Sequence, residues 1–179
     1  MVGEVFRIAG AKSRQTCTYV CMNEPRRIWW ARPGKLCLLE RPGGGGRSHR
    51  PERRAADIEY LRSMGVHTVI STMTTKHNLG YYEDAGLEWH HVPVADCAAG
   101  GEALEDVLRL LRKLVKRRGA VAVHGNRLTD FVAAVGAAWL RDARGDDPAE
   151  ALLAAEAAGL RPSDASYALL GVAREAAPA

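Results

Sequence analysis

The sequence is poor in aromatic residues, with two Phe, four Trp and five Tyr among 179 residues, and none of its basic tracts alternates with aromatics. That absence argues against the base-stacking sheet of an RNA-binding module. The four cysteines, Cys17, Cys21, Cys37 and Cys97, form no C-x-x-C pairs, so a zinc site has little support. His90 and His91 would face opposite sides of a strand and make no ligand pair, with or without Cys97 and His124. No metal and no cofactor are expected. No apolar run is long enough to span a membrane, and the first residues lack the charged-then-apolar order of a leader. The expectation is a soluble cytoplasmic protein with reduced thiols, without a membrane or nucleic-acid partner. The four glycines from Gly43 to Gly46 are not followed by Gly-Lys-Ser/Thr, so they are not a Walker loop.

What the chain does have is an ordinary globular balance: 47% hydrophobic and 26% charged residues, enough for one core. The formal charge of +4 and the pI near 9.0 come largely with two basic clusters, residues 41–54 and 113–118. Solvated faces are the plain reading of such clusters. Attraction for an anionic ligand or partner is the functional one.

The middle of the chain alternates strand and helix signals. Val5 to Ala9 and Thr16 to Cys21 read as short strands, and adjacent Trp29 and Trp30 would face opposite ways. Arg41 to Arg47 is a glycine loop, either a connector or a rim beside a pocket with Arg41 and Arg47 facing an anion. A helix opens at Ser48 or Pro51, with Ala55, Ile58, Leu61 and Met64 as its apolar face, and Gly65 stops it. Val66 to Ser71 reads as a buried strand, Thr74 to Ala85 as a short helix, and Leu87 to Val94 as a second strand. Leu104 to Arg118 has an apolar stripe of Leu and Val, with cations at its C-terminal turns where the helix dipole favours them. Ala120 to His124 is a strand, and a helix runs from about Asp130 to Arg141. Asp147-Pro148 caps a helix over residues 149–158, and Ser163 caps a last one. This order predicts an α/β domain with a central, mostly parallel sheet flanked by helices.

The junction from Ala120 through His124, Gly125, Asn126, Arg127, Leu128, Thr129, Asp130 and Phe131 is a strand, a tight loop and a helix start. Loop amides and the helix dipole there converge on one point, an anion-binding arrangement. With Pro33-Gly34-Lys35-Leu36 before Arg41-Pro42-Gly43, and Val92-Pro93-Val94-Ala95-Asp96 after a strand, the chain resembles the protein tyrosine phosphatase superfamily, especially its compact dual-specificity members. The resemblance covers residues 28–160 and implies a phosphatase-like α/β domain over 28–179, with 1–27 as an extension or extra strands. It places Asp96 at the general-acid position and His124 at the histidine that bonds the loop backbone. The same resemblance puts Gly125 at the cysteine nucleophile, Phe131 at the phosphate-binding arginine, Leu128 at the loop glycine and Val132 at the Ser/Thr after the arginine.

Each replacement has a chemical meaning. Gly125 offers no thiolate to attack phosphorus. Phe131 cannot make the bidentate fork that stabilises the transition state. Asp130 would repel a dianion, with Arg127 a partial compensation. Thr129 and Asp130 also suit a helix cap. Cys97 is a poor substitute nucleophile, because the loop amides would not surround it. The resemblance therefore implies a catalytically degenerate binding or regulatory module. The alternative is a repurposed enzyme using Asp96, His124 and Asp130 for acid/base chemistry, and an active phosphatase by a cysteine-independent route ranks last. A ligand would meet loop residues Gly125, Asn126, Arg127, Leu128, Thr129 and Phe131 and the rim residues Arg41 and Arg47. The expected partner is a small metabolite or a protein. A deep pocket at this loop favours an enzyme and a plugged one favours a module.

Overall fold

The structure, a computed structural model, describes residues 24–44, 50–76, 78–126 and 129–174. The two N-terminal strands expected before Cys21, together with Arg47, Ser48, Arg127 and Leu128, lie outside the described residues.

Among the described residues five strands form one sheet: β1 (Ile28–Arg32), β2 (Leu36–Glu40), β3 (Val66–Ser71), β4 (Glu88–His91) and β5 (Ala120–Gly125), in the order β1-β2-β5-β3-β4. Only the β1–β2 pairing is antiparallel, and the other three are parallel. This is the mostly parallel α/β sheet expected from the alternation. The β1–β2 hairpin was not anticipated. Its turn, Pro33-Gly34-Lys35, has Gly34 at φ 68°, a left-handed conformation that glycine adopts without strain. Leu36 to Leu39 is apolar without alternation because both faces of that strand are covered.

Helices pack on both faces. Leu38, Ile70, Val121 and Val123 point into the larger core with α3 (Gly101–Leu114), α4 (Asp130–Arg144), α5 (Pro148–Ala157) and α6 (Asp164–Leu170). Cys37, Leu39, Val69 and Ala122 point the other way, against α1 (Pro51–Ser63) and α2 (Gly80–Asp84). Trp29 joins the first core and Trp30 the second, on opposite faces of β1 as the strand period requires. Every residue from Phe131 to Leu140 of α4 is buried. Gly136 is needed there because a Cβ would collide with the Trp29 ring and approach Leu38.

Three element readings need correction. On α1, Ala55 and Met64 are exposed, and the buried face is Arg54, Asp57, Ile58 and Leu61. The charged pair is inside because it has partners. Asp57 Oδ2 accepts the Gly43 amide at 2.8 Å, and the Arg54 guanidinium lies 3.4 Å over the Tyr81 ring. Helix α3 ends at Leu114, where its apolar stripe ends. Exposed Lys116 to Arg118 have no core to pack on, and Gly119 turns the chain into β5 with φ 95°. The second expected strand shortens to β4 and the helix before it to α2. Both expected caps are present: Asp147 accepts the Ala149 and Glu150 amides before Pro148 opens α5, and Ser163 with Ser166 forms a capping box on α6. No helix among the described residues is long and apolar enough to cross a membrane.

Candidate functional site

The carboxyl ends of parallel strands leave room for a ligand where consecutive connections run in opposite directions. In this sheet that point lies between β5 and β3, and a cavity of about 370 Å³ opens there. After β3 it is lined by Thr72, Met73 and Thr74, and after β4 by Val94, Ala95, Asp96 and Cys97. Gly125 and Asn126 follow β5, and Asp130, Phe131 and Val132 belong to the start of α4. The strand–loop–helix junction thus faces the Asp96 segment across one cleft, large enough for a small molecule.

The strand end of the loop is tightly held. His124 is buried, and its carbonyl accepts both the Thr72 amide at 2.9 Å and the Thr72 hydroxyl at 3.1 Å. Its Nδ1 faces the Gly125 carbonyl at 3.3 Å, and its Nε2 faces the Tyr82 hydroxyl at 3.0 Å. A carbonyl only accepts, so Nδ1 carries the proton and Nε2 accepts from Tyr82. Burial pushes the imidazole pKa down to about 4, the Gly125 bond opposes that, and the charges of Arg41 and His91 add to it. The ring is neutral at pH 7 and does not line the cleft.

The helix end is built differently. Thr129 Oγ1 accepts the Arg161 amide at 2.8 Å rather than capping its own helix. Asp130 supplies the first-turn acceptor instead. Its Oδ1 takes the Phe131 amide at 2.8 Å, its Oδ2 takes the Ser163 hydroxyl at 3.3 Å, and its carbonyl takes the Ser166 hydroxyl at 3.0 Å. The Phe131 ring lies against Gly100 at the start of α3, where a Cβ would come within 2.7 Å of it.

Asp96 is exposed at the cleft wall and accepts the Ala98 amide at 3.1 Å. Beside it Cys97 is buried, and its thiol is pushed up to about 11. Burial is the main cause, with the carboxylates of Asp130 and Asp96 adding and a contact to Ser166 opposing. That thiol is protonated at pH 7 and is no nucleophile. Arg41 is half-buried, gives its Nε–H to the Gly44 carbonyl at 2.8 Å, and is not part of the cleft lining. No cluster of three or more metal-ligating side chains exists among the described residues.

Of the residues expected at the site, the structure brings Asp96, Gly125, Asn126, Asp130 and Phe131 to one cleft, while His124, Thr129 and Arg41 are not among its lining. The sequence reading missed the supports: Tyr82 and Thr72 behind His124, His91 on the Met73 carbonyl at 2.7 Å, and Ser163, Ser166 and Arg161 behind the helix end. The Ser163–Ser166 spacing was a visible cap signal, but nothing local points from it to Asp130, 33 residues earlier.

Among solved structures, the chain is similar to Tk-PTP in its active form, at 22% identity and a TM-score of 0.64, covering 81% of this chain and 94% of that one. Human DUSP28 matches at 23% identity and a TM-score of 0.61, covering 82% and 92%. P. aeruginosa TpbA matches at 19% identity and a TM-score of 0.60, covering 78% and 81%. At such identities these matches establish the dual-specificity phosphatase fold alone. No curated protein matches the chain. Residues 43–143, more than half of the chain, match the family described as polymorphic toxin system, DSP-PTPase phosphatase. The chain belongs to that family, and with it to the dual-specificity type of the protein tyrosine phosphatase superfamily.

Proposed function

We propose that the protein is a phosphatase-fold binding module that retains the ligand cleft without phosphoester hydrolysis. One observation carries the reading. Where β5 ends at the cleft the residue is Gly125, and the one thiol among the described lining residues, Cys97, is held protonated. Phe131, packed on Gly100, supports it, since an apolar ring cannot replace a guanidinium at phosphate. In this reading the chain works in the cytoplasm as a component of a toxin system, the setting named in its family's description, and acts by occupancy rather than by dephosphorylation. Its working unit is residues 28–179, with 1–27 as an extension.

The test is hydrolysis of p-nitrophenyl phosphate by the purified protein and by Asp96→Ala. Both are expected at the buffer rate, and turnover that disappears in Asp96→Ala overturns the reading. A second reading, a repurposed enzyme, draws on the open cavity of about 370 Å³ with the Asp96 carboxylate on its wall. A cleft ligand that is consumed over time by the wild type and not by Asp96→Ala would select that reading. A ligand recovered unchanged selects the module.

A further inference from the structure

We propose that the solvent face of α3 is a self-recognition surface, on which a second copy of this chain docks with its own α3 antiparallel. Such pairing is independent of what the cleft does. Leu104, Val107, Leu108, Leu111 and Leu114 bury one face of the helix. On the opposite face Glu102, Glu105, Arg109, Lys113 and Lys116 are exposed. At 3.6 residues per turn these five fall within an arc of about 80° and form one stripe about 21 Å long. Lys116 extends it past Leu114, because Val115 keeps helical backbone and bonds the Leu111 carbonyl.

The stripe is acidic at its start and basic at its end, and its signs match their own reversal. Turned end for end about Arg109, Glu102 comes opposite Lys116 of the second copy, and Glu105 opposite Lys113. A two-fold axis makes each match twice. The same four residues are the ones left over within the chain. Among the described residues, Glu102, Glu105, Lys113 and Lys116 make no hydrogen bond or ion pair. Their neighbours are already served: Arg109 holds Asp106 and Arg112 holds Asp142, each at 2.8 Å. Arg109 therefore brings its own carboxylate to the axis, where two bare guanidiniums would repel.

The helix dipole favours acids in a first turn and cations in a last one, and its reach ends there. It does not account for Glu105, nor for four unpartnered charges placed symmetrically about one residue. Helix α1 shows the ordinary arrangement, in which exposed Glu59 and Arg62 pair with each other at 2.9 Å. Segregation by sign on α3 prevents most such pairs. An acidic protein or a nucleic acid would match the basic half of the stripe and be repelled by the acidic half. A reversed copy matches both.

Association of the full chain, followed by small-angle X-ray scattering up to about 1 mM, tests this, since exposed ion pairs are individually weak. An ionic strength of about 0.1 M screens the net charges of the two copies more than pairs in contact. A concentration-dependent dimer is expected, weakened at least about tenfold in about 1 M salt. Lys113→Glu with Lys116→Glu should associate at least about tenfold more weakly, although the formal charge falls from +4 to zero and general repulsion falls with it. Glu102→Lys with Glu105→Lys should weaken it likewise. All four positions are exposed, so both variants should keep the wild-type circular dichroism. Mixed in equal amounts, the two variants should regain the dimer, because every facing pair is again of opposite sign. A wild type that stays monomeric overturns the self-pairing and leaves the stripe to another partner or to solvent. A dimer that either variant leaves unchanged also overturns it, since the contact then lies on another face. So does a mixture of the two variants that stays dissociated.

Discussion

The loop between β5 and α4 is held in two ways at its two ends. At the strand end His124 is fixed by Thr72 and Tyr82, groups at the end of a neighbouring strand and on the helix after it. At the helix end Thr129 and Asp130 are fixed by Arg161, Ser163 and Ser166, which arrive with the connection into α6 more than thirty residues later. The strand end is held by the sheet and by the helix that follows β3, both close in the fold. The helix end is held from a distant segment, and Asp130 and Phe131 there line the cleft. The sheet can therefore hold the fold while the residues at the cleft are positioned through a distant segment, so the fold does not by itself fix the chemistry there.

The largest effect should come from the helix end. Phe131 is buried against Gly100 and within the main core, so Phe131→Ala should lose about 3–5 kcal/mol of stability. Urea unfolding followed by tryptophan fluorescence would measure it. A loss below about 1 kcal/mol would mean that the ring is not a packing element, and the contrast with the strand end would weaken.

The strand end should show itself through pH. The folded His124 pKa is about 4, below the unfolded value near 6.5, so the unfolded chain binds more protons between those limits. The contribution is whole above pH 6.5 and is lost as the pH falls towards 4, to a total of about 3 kcal/mol. His124→Asn should be less stable at pH 7 but should lack most of that acid slope. Equal slopes in the two proteins would show that other groups carry it.

How much of this was legible follows from how local each feature is. The Val66–Ser71 strand, the Asp130 helix start and the Asp147-Pro148 cap each depend on a few adjacent residues, and the structure has them there. The cleft residues 96, 125, 126, 130 and 131 were legible because an ordered series of segments resembled a known fold. Buried Arg54 and Asp57 were not, because a charged residue reads as solvated until its partner, here Tyr81 or the Gly43 amide, is known from tertiary contact. Tyr82 gave no signal for the same reason. Its role is one bond to a histidine 42 positions away. The β1–β2 hairpin escaped because an unalternating apolar run such as Leu36–Leu39 does not separate strand from buried helix.

A smaller effect isolates the Asp130 brace. Ser166→Ala removes the hydroxyl bonded to the Asp130 carbonyl and to the Ser163 amide, and should cost about 1 kcal/mol. The same change made together with Asp130→Asn should be less than additive, because both act on one network. Full additivity would mean that α6 and the loop are independent, against the contrast drawn here.

The smallest effect is expected from the change that, on the proposed reading, most directly restores the phosphatase pattern. Gly125→Cys returns a thiol to the end of β5 and nothing else. A thiol there becomes a nucleophile only if its thiolate is stabilised, and the surroundings work against that. Cys97, already in this cleft, sits at about 11 because of burial and the nearby carboxylates. The first-turn amide of Phe131, a donor that would lower a thiol pKa, is engaged by Asp130. Even a thiolate would face a dianion with Phe131 in place of a bidentate guanidinium, and loss of one transition-state donor alone is worth about 10²–10³ in rate. Gly125→Cys is therefore expected to hydrolyse p-nitrophenyl phosphate at least about a hundredfold more slowly than an intact signature-loop phosphatase assayed beside it. Iodoacetamide labelling across pH separates the two causes. A midpoint for the new thiol at or above about 8.5 assigns the failure to the missing thiolate. A midpoint near 6 with no turnover assigns it to Phe131. A midpoint near 6 with family-like turnover would show that the helix end still works as an oxyanion cradle despite Asp130 and Phe131, and that the two ends of the loop are not as different as their contacts make them.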